Sequence, residues 1–188
     1  MDNRIEYNFS KLIEEIQICC NNRQYFAALS TALILPDICS KIESKYGTAK
    51  KDGKPYIIWC NKWLCQYLYP ISTWSQYEGS WGQVIYKLRC GILHSGEVDV
   101  CDKEYTFFDL KSFNFFVDND SRYRRPLTIA KVQKTGGCGY SNTAKIDIDI
   151  HYLICAIISG TLAFIDYYHL DDEDISFMAI QRDLTKVK

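Results

Sequence analysis

The strongest constraint on this chain is a change of hydrophobic period near Cys101. Before it, apolar residues recur with the 3.6-residue spacing of helices; after it, the pattern shortens to that of strands and then reverts. Phe9, Leu12, Ile13 and Ile16 follow at i, i+3, i+4 and i+7 behind Asn8 and Ser10, both good N-caps. This predicts a helix over about 9–20, closed by Asn21 and Asn22. Tyr25, Phe26, Leu29, Leu33 and Ile34 begin a second apolar segment, and Ile38 and Ile42 continue its face to about 44. Pro36 lacks an amide and must kink or restart that helix. Residues 45–54 carry glycine and charge without an apolar period and read as a loop. Pro55 then opens the clearest helix, 55–68, with Tyr56, Ile57, Trp59, Cys60, Trp63, Leu64, Tyr67 and Leu68 at consecutive i/i+1 and i+3/i+4 positions and Pro70 beyond it. Ser80 can cap a helix over 80–94 whose face is Trp81, Val84, Ile85, Leu88 and Ile92, with Gly96 as its stop.

Beyond Cys101 the segment 105–117 is dense in Phe and Tyr, 127–132 is β-prone, and 144–150 alternates as KIDIDI. Two or three strands are expected in a β insert over about 104–150, with Gly136, Gly137 and Gly139 turning the chain before the last. A long apolar helix over 149–169 follows, opened by His151 and closed by His169, and Asp171 to Asp174 suit the start of a short terminal helix. The expected class is mainly α: a single-domain helical bundle with a small β insert before its last helix.

The chain has 188 residues, 22 Lys+Arg and 23 Asp+Glu, so a net charge of −1 excludes a protein that coats nucleic acid or membrane by basicity alone. Met1 to Tyr7 holds two acids and one Arg, which predicts no secretory signal, and the charge-free run Tyr152–Ile165 is shorter than the roughly 18 residues of a membrane span. A cytoplasmic protein with no membrane contact is expected. The nine cysteines are odd in number and contain no CxxC pair, the pattern of free thiols in a reducing compartment. Cys60 and Cys65 lie far in sequence from the three histidines, which argues against zinc, and neither metal nor cofactor is expected. No phosphate loop, GxSxG elbow or HExxH motif occurs.

The segment YKLRCGILHSGE places Arg89 and His94 five residues apart at the end of the fourth helical pattern. On these residues and the helices before them, the chain resembles the HEPN superfamily, four-helix bundles with an RxxxxH motif, and in its RCGILHSG wording small plasmid-borne members. The resemblance implies antiparallel helices and a metal-independent endoribonuclease of toxin–antitoxin or phage-defence systems. It further implies an RNA substrate, a homodimer with a composite site, and an antitoxin protein as partner. Active members often carry a polar residue such as Asn after the arginine, where this chain has Cys90. The alternative is a non-catalytic HEPN module that binds a protein or a nucleotide.

RNA cleavage by the ribose 2′-hydroxyl needs a base, an acid for the departing 5′-oxygen and a cation for the developing charge. A histidine, with its reference pKa of about 6.5, and a guanidinium supply these without metal. On a regular helix five residues turn through about 500°, leaving Arg89 and His94 roughly 140° apart. Gly91 or a two-fold dimer that doubles the pair in one cleft would resolve this. The helix C-terminus favours cationic Arg89 and His94, which is also a purely structural reason for basic residues there. Asp37 either pairs with Arg89 across the bundle or caps the restarted helix, and Glu97 either orients His94 or is solvated. Arg122, Arg124, Arg125, Lys131 and Lys134 form the one concentrated basic stretch, which fits an RNA backbone or a charged edge strand. The cluster Phe107, Phe108, Phe113, Phe115 and Phe116 is expected in the core or a dimer contact rather than stacked on bases.

Overall fold

A computed structural model describes residues 4–45, 55–68, 81–95, 99–102, 109–117, 127–134, 142–171 and 177–180. The protein is mainly helical with a small sheet. Asn8 caps α1 (Phe9–Asn21), its side chain accepting the Lys11 N–H at 2.9 Å, and Phe9, Leu12 and Ile16 are the buried stripe. Arg23, at φ 58°, then turns the chain into α2 (Tyr25–Ala32). The second apolar segment is restarted rather than kinked. A turn at Leu33 and Ile34 separates α2 from α3 (Leu35–Lys45), which puts Pro36 in a first turn, where a missing amide costs no hydrogen bond.

Residues 55–68 are helical as the pattern predicts, but not uniformly: α4 (Pro55–Trp59) and α5 (Cys65–Leu68) flank a π-helical turn, π1 (Cys60–Leu64). Next come α6 (Trp81–Cys90) and a second π turn, π2 (Gly91–Ser95). The last helix, α7 (Ile150–Tyr168), is capped by buried Asp149, which accepts the Tyr152 N–H at 3.2 Å, and is closed by His169 in the left-handed region at φ 51°. Among the expected boundaries, the 46–54 loop, Pro70, Ser80 and Gly96 lie outside the described residues.

The core joins these helices through Ile16, Leu29, Leu35, Trp59, Leu64, Ile85, Leu88, Leu153, Ile157 and Phe164. Two glycines permit close helix approach. A Cβ on Gly82 would meet the Ile57 carbonyl oxygen and lie 2.7 Å from Asn61 Oδ1, and one on Gly160 would lie 3.0 Å from the Trp63 carbonyl oxygen. Both contacts fall on or beside π1. The helices are not all antiparallel. α6 runs against α4, with Gly82 at Asn61 and Tyr86 on Tyr56. By contrast α3 runs with α7, since Cys39 meets Thr161 and Glu43 meets Tyr168 further along both.

Among the described residues the β insert shows four strands and starts earlier than the pattern suggests: β2 (Asp99–Asp102), β3 (Asp109–Phe116), β4 (Leu127–Lys134) and β5 (Asn142–Asp149) in the order β2-β3-β5-β4. β5 is parallel to β3 and antiparallel to β4. Its alternation explains its central place: Ile146 and Ile148 are fully buried, while Asp147 takes a 2.8 Å bond from Asn114 on β3. Phe113 is buried, Phe115 packs edge-on to Phe26 at 5.2 Å, and Phe116 is exposed; Phe107, Phe108 and the glycine cluster lie outside the described residues.

The start expected for a short terminal helix falls, beyond Asp171, outside the described residues; further on, β6 (Phe177–Ile180) pairs antiparallel with β1 (Arg4–Tyr7). Its partner lies at the other end of the chain, so no local pattern could announce it. Two stretches, Tyr25–Lys45 and Ile150–Tyr168, are long and apolar enough to cross a membrane by length and composition. The second exceeds the Tyr152–Ile165 run because Ile150 and the residues to Tyr168 extend the helix. Both present core faces: Leu29, Leu35 and Cys39 on one, Leu153, Ile157 and Phe164 on the other.

Candidate functional site around Arg89

Arg89 stands in the last turn of α6, facing the starts of α3 and α4. Its Nη2 lies 3.4 Å from Asp37 Oδ2, and its guanidinium carbon lies 5.4 Å from the centre of the Tyr56 ring. Of the two readings open for Asp37, the pairing across the bundle is the one observed, and the residue also sits in the acid-favouring first turn of α3. Lys41, one turn later, shares the same Oδ2 at 3.3 Å. A charge-assisted bond is commonly about 2.7–2.9 Å, so the 3.4 Å contact between Asp37 and Arg89 is a long one.

Tyr56 forms the floor. It is buried, donates its hydroxyl to the Leu33 carbonyl at 3.2 Å, and stacks edge-on with Tyr86 at 5.7 Å. Burial holds its hydroxyl well above the usual phenol range, Arg89 opposing only in part, so it is a neutral donor and no base. The Arg89 side chain is 17% exposed and that of Asp37 31%.

Position 94 lies in π2, directly after the arginine's helix. A π turn closes i→i+5 bonds and so takes more residues than the 3.6 of an α turn. Positions five apart therefore fall nearer to one another around the axis than the 140° of a regular helix. Gly91, the residue singled out for relaxing that geometry, is where the π turn starts. Cys90, half-buried, is the last α-helical residue.

Glu97, Arg122, Arg124 and Arg125 lie outside the described residues. Lys131 and Lys134 are on β4, at the edge of the sheet, opposite Lys145 and Asn142. Lys145 was missed in the sequence because its pairing with Lys131 depends on strand register. Lys41 was missed too, although its i+4 spacing from Asp37 could have announced it. Tyr56 carries no local signal of its place under Arg89.

Away from the site, burial raises the Cys39 and Cys60 thiols, so neither is a ready thiolate. Among the described residues no three His, Cys, Asp or Glu side chains are grouped to hold a metal ion. A groove of about 380 Å³ between α1 and α7 is lined by Ile16, Cys20, His151, Ile154 and Cys155 among others. Comparison with protein-family models, with curated proteins and with solved structures finds no match to this chain.

Proposed function

We propose that this protein is a HEPN-type, metal-independent endoribonuclease that cleaves single-stranded RNA as a cytoplasmic homodimer of toxin–antitoxin or phage-defence type. The observation that carries the reading is the junction of α6 and π2: an arginine held between Asp37 and Tyr56, followed at once by a turn whose wider winding brings position 94 round toward position 89. Arg89 binds the scissile phosphate and offsets the charge that develops on it. His94 takes the 2′-hydroxyl proton, or returns one to the departing 5′-oxygen. The new P–O2′ bond forms as P–O5′ breaks, leaving a 2′,3′-cyclic phosphate and a free 5′-hydroxyl. Two copies of the segment across a two-fold axis supply one base and one acid to the same cleft. The basic stretch from Arg122 to Lys134 guides the RNA backbone, and an antitoxin would act by covering the cleft.

A second reading has an observation behind it. Arg89 is mostly buried and already ion-paired, and Cys90 replaces the polar residue often found in active members, both of which suit a non-catalytic HEPN module that binds a protein or a nucleotide. Incubating the pure protein with RNA in EDTA separates them. The ribonuclease reading predicts cleavage by the wild type and none by an Arg89→Ala/His94→Ala double variant; equal survival of the RNA with both proteins leaves the binding module.

A further inference from the structure

Where the end of α3, π1 and the end of α7 meet, four side chains surround the ammonium of Lys62. Glu43 Oε1 accepts from Lys62 Nζ at 2.6 Å, from Trp63 Nε1 at 3.3 Å and from the Tyr168 hydroxyl at 3.2 Å. The same Nζ lies 4.6, 5.7 and 5.9 Å from the ring centres of Trp63, Tyr167 and Tyr168. Those rings meet at steep angles, 64° between Trp63 and Tyr167 and 79° between Tyr167 and Tyr168. Ring faces carry negative potential, and a cation within about 6 Å of a ring centre is attracted to it. Three such rings and a carboxylate around one nitrogen are more than a lone surface lysine needs.

The parts differ in how firmly they are held. The Glu43 side chain is 6% exposed and Trp63 is buried, whereas the Lys62 side chain is 45% exposed and Tyr167 63%. Lysine is a hydrated point charge on a flexible stem. When it swings out, Glu43 keeps its bonds from Trp63 and Tyr168, so the carboxylate stays supported and the rings stay in place. A trimethylated nitrogen, having no N–H to give to water, is held by ring faces better than a primary amine is.

We propose that Glu43, Trp63, Tyr167 and Tyr168 form a receptor for a small molecule bearing a quaternary ammonium group, with Lys62 as the plug that fills it in the unliganded chain. The proposal is independent of the ribonuclease reading. An occupied plug weakens apparent affinity by the fraction of time the lysine is out, so removing it tightens binding. Calorimetric titration of choline into Lys62→Ala and Lys62→Gln proteins is the test, with circular dichroism as the check on folding. Saturable binding about tenfold or more tighter than in the wild type, and lost in Lys62→Ala/Tyr167→Ala, is the expected result. Folded variants that take up no choline, or binding that survives loss of Tyr167, would overturn it. Should neither variant fold, Trp63 and Tyr167 resonances in the wild type are followed at high choline: shifts that saturate support the receptor, and unmoved resonances refute it.

Discussion

At the scale of the residue, the account turns on Asp37. Its carboxylate is shared by two cations at 3.3 and 3.4 Å, so it steers Arg89 without locking it. Partly exposed pairs of this kind contribute about 0.2–1 kcal/mol. Asp37→Ala is therefore expected to lower stability by no more than about 1 kcal/mol in urea unfolding. RNA cleavage should fall about tenfold, as for a misplaced phosphate ligand, with Asp37→Glu restoring most of the rate. A loss of rate that only tracks a loss of fold would make Asp37 structural. The sequence already held Asp37 and Arg89 as possible partners, because a carboxylate beside Pro36 has few other tasks. It could not choose between pairing and capping, since that depends on how α3 crosses α6.

Lys62 gives the second prediction at this scale. Burial pulls its pKa down, but the bond and charge of Glu43 outweigh that and the net shift is upward from 10.5. A cation whose folded pKa is raised stabilises fully below its unfolded value and loses that contribution as pH rises through the folded one. The thermal midpoint of the wild type should thus exceed that of Lys62→Gln by a constant margin from pH 7 to about 10, and the margin should close above that. A margin unchanged into strong alkali would mean that the charge on Lys62 contributes nothing through its pairing with Glu43.

At the scale of the element, helix existence was legible from apolar period and caps: Asn8 and Pro55 stand where the pattern puts them, and the 55–68 stripe is buried except for Ile57, which is half-buried, and Tyr67, which is exposed. The two π turns were not, because a wider turn leaves the apolar spacing almost intact and arises from contacts with other helices. π1 is the clearest case. Asn61 within it accepts the Gly82 N–H at 2.8 Å, capping α6 from a neighbouring helix, and Gly82 has no room for a side chain beside the Ile57 carbonyl. Asn61→Ala should cost about 1 kcal/mol as a lost cap, and Gly82→Ala about 1–3 kcal/mol as overpacking against backbone. Urea midpoints measure both. Wild-type stability in Gly82→Ala would show that α6 and α4 are not in this close contact. β6 was illegible for another reason, namely that its pairing with β1 joins the two ends of the described chain.

At the scale of the whole molecule, a net charge of −1 leaves no general attraction for RNA, so positive charge has to be gathered locally. Were RNA the substrate, the register that pairs Lys131 with Lys145 would serve this on the sheet, and a dimer would do so at the Arg89 site by doubling each group. A composite site makes a specific prediction. Arg89→Ala and His94→Ala proteins, each inactive alone, should regain a small part of the activity when unfolded together and refolded, since the shared cleft of a mixed dimer then holds one Arg89 and one His94, where each single variant lacks one of the two altogether. Failure to regain any would place the site within a single protomer.

If Arg89 and His94 cleave RNA without metal, the product ends must carry the mark of that chemistry. A defined single-stranded RNA is incubated with the protein in EDTA and the termini are analysed by mass spectrometry. Wild-type protein should yield 2′,3′-cyclic phosphate and 5′-hydroxyl ends, and folded Arg89→Lys and His94→Gln proteins should yield essentially none. Intact RNA with the wild type, or the same ends from both variants, would contradict the account.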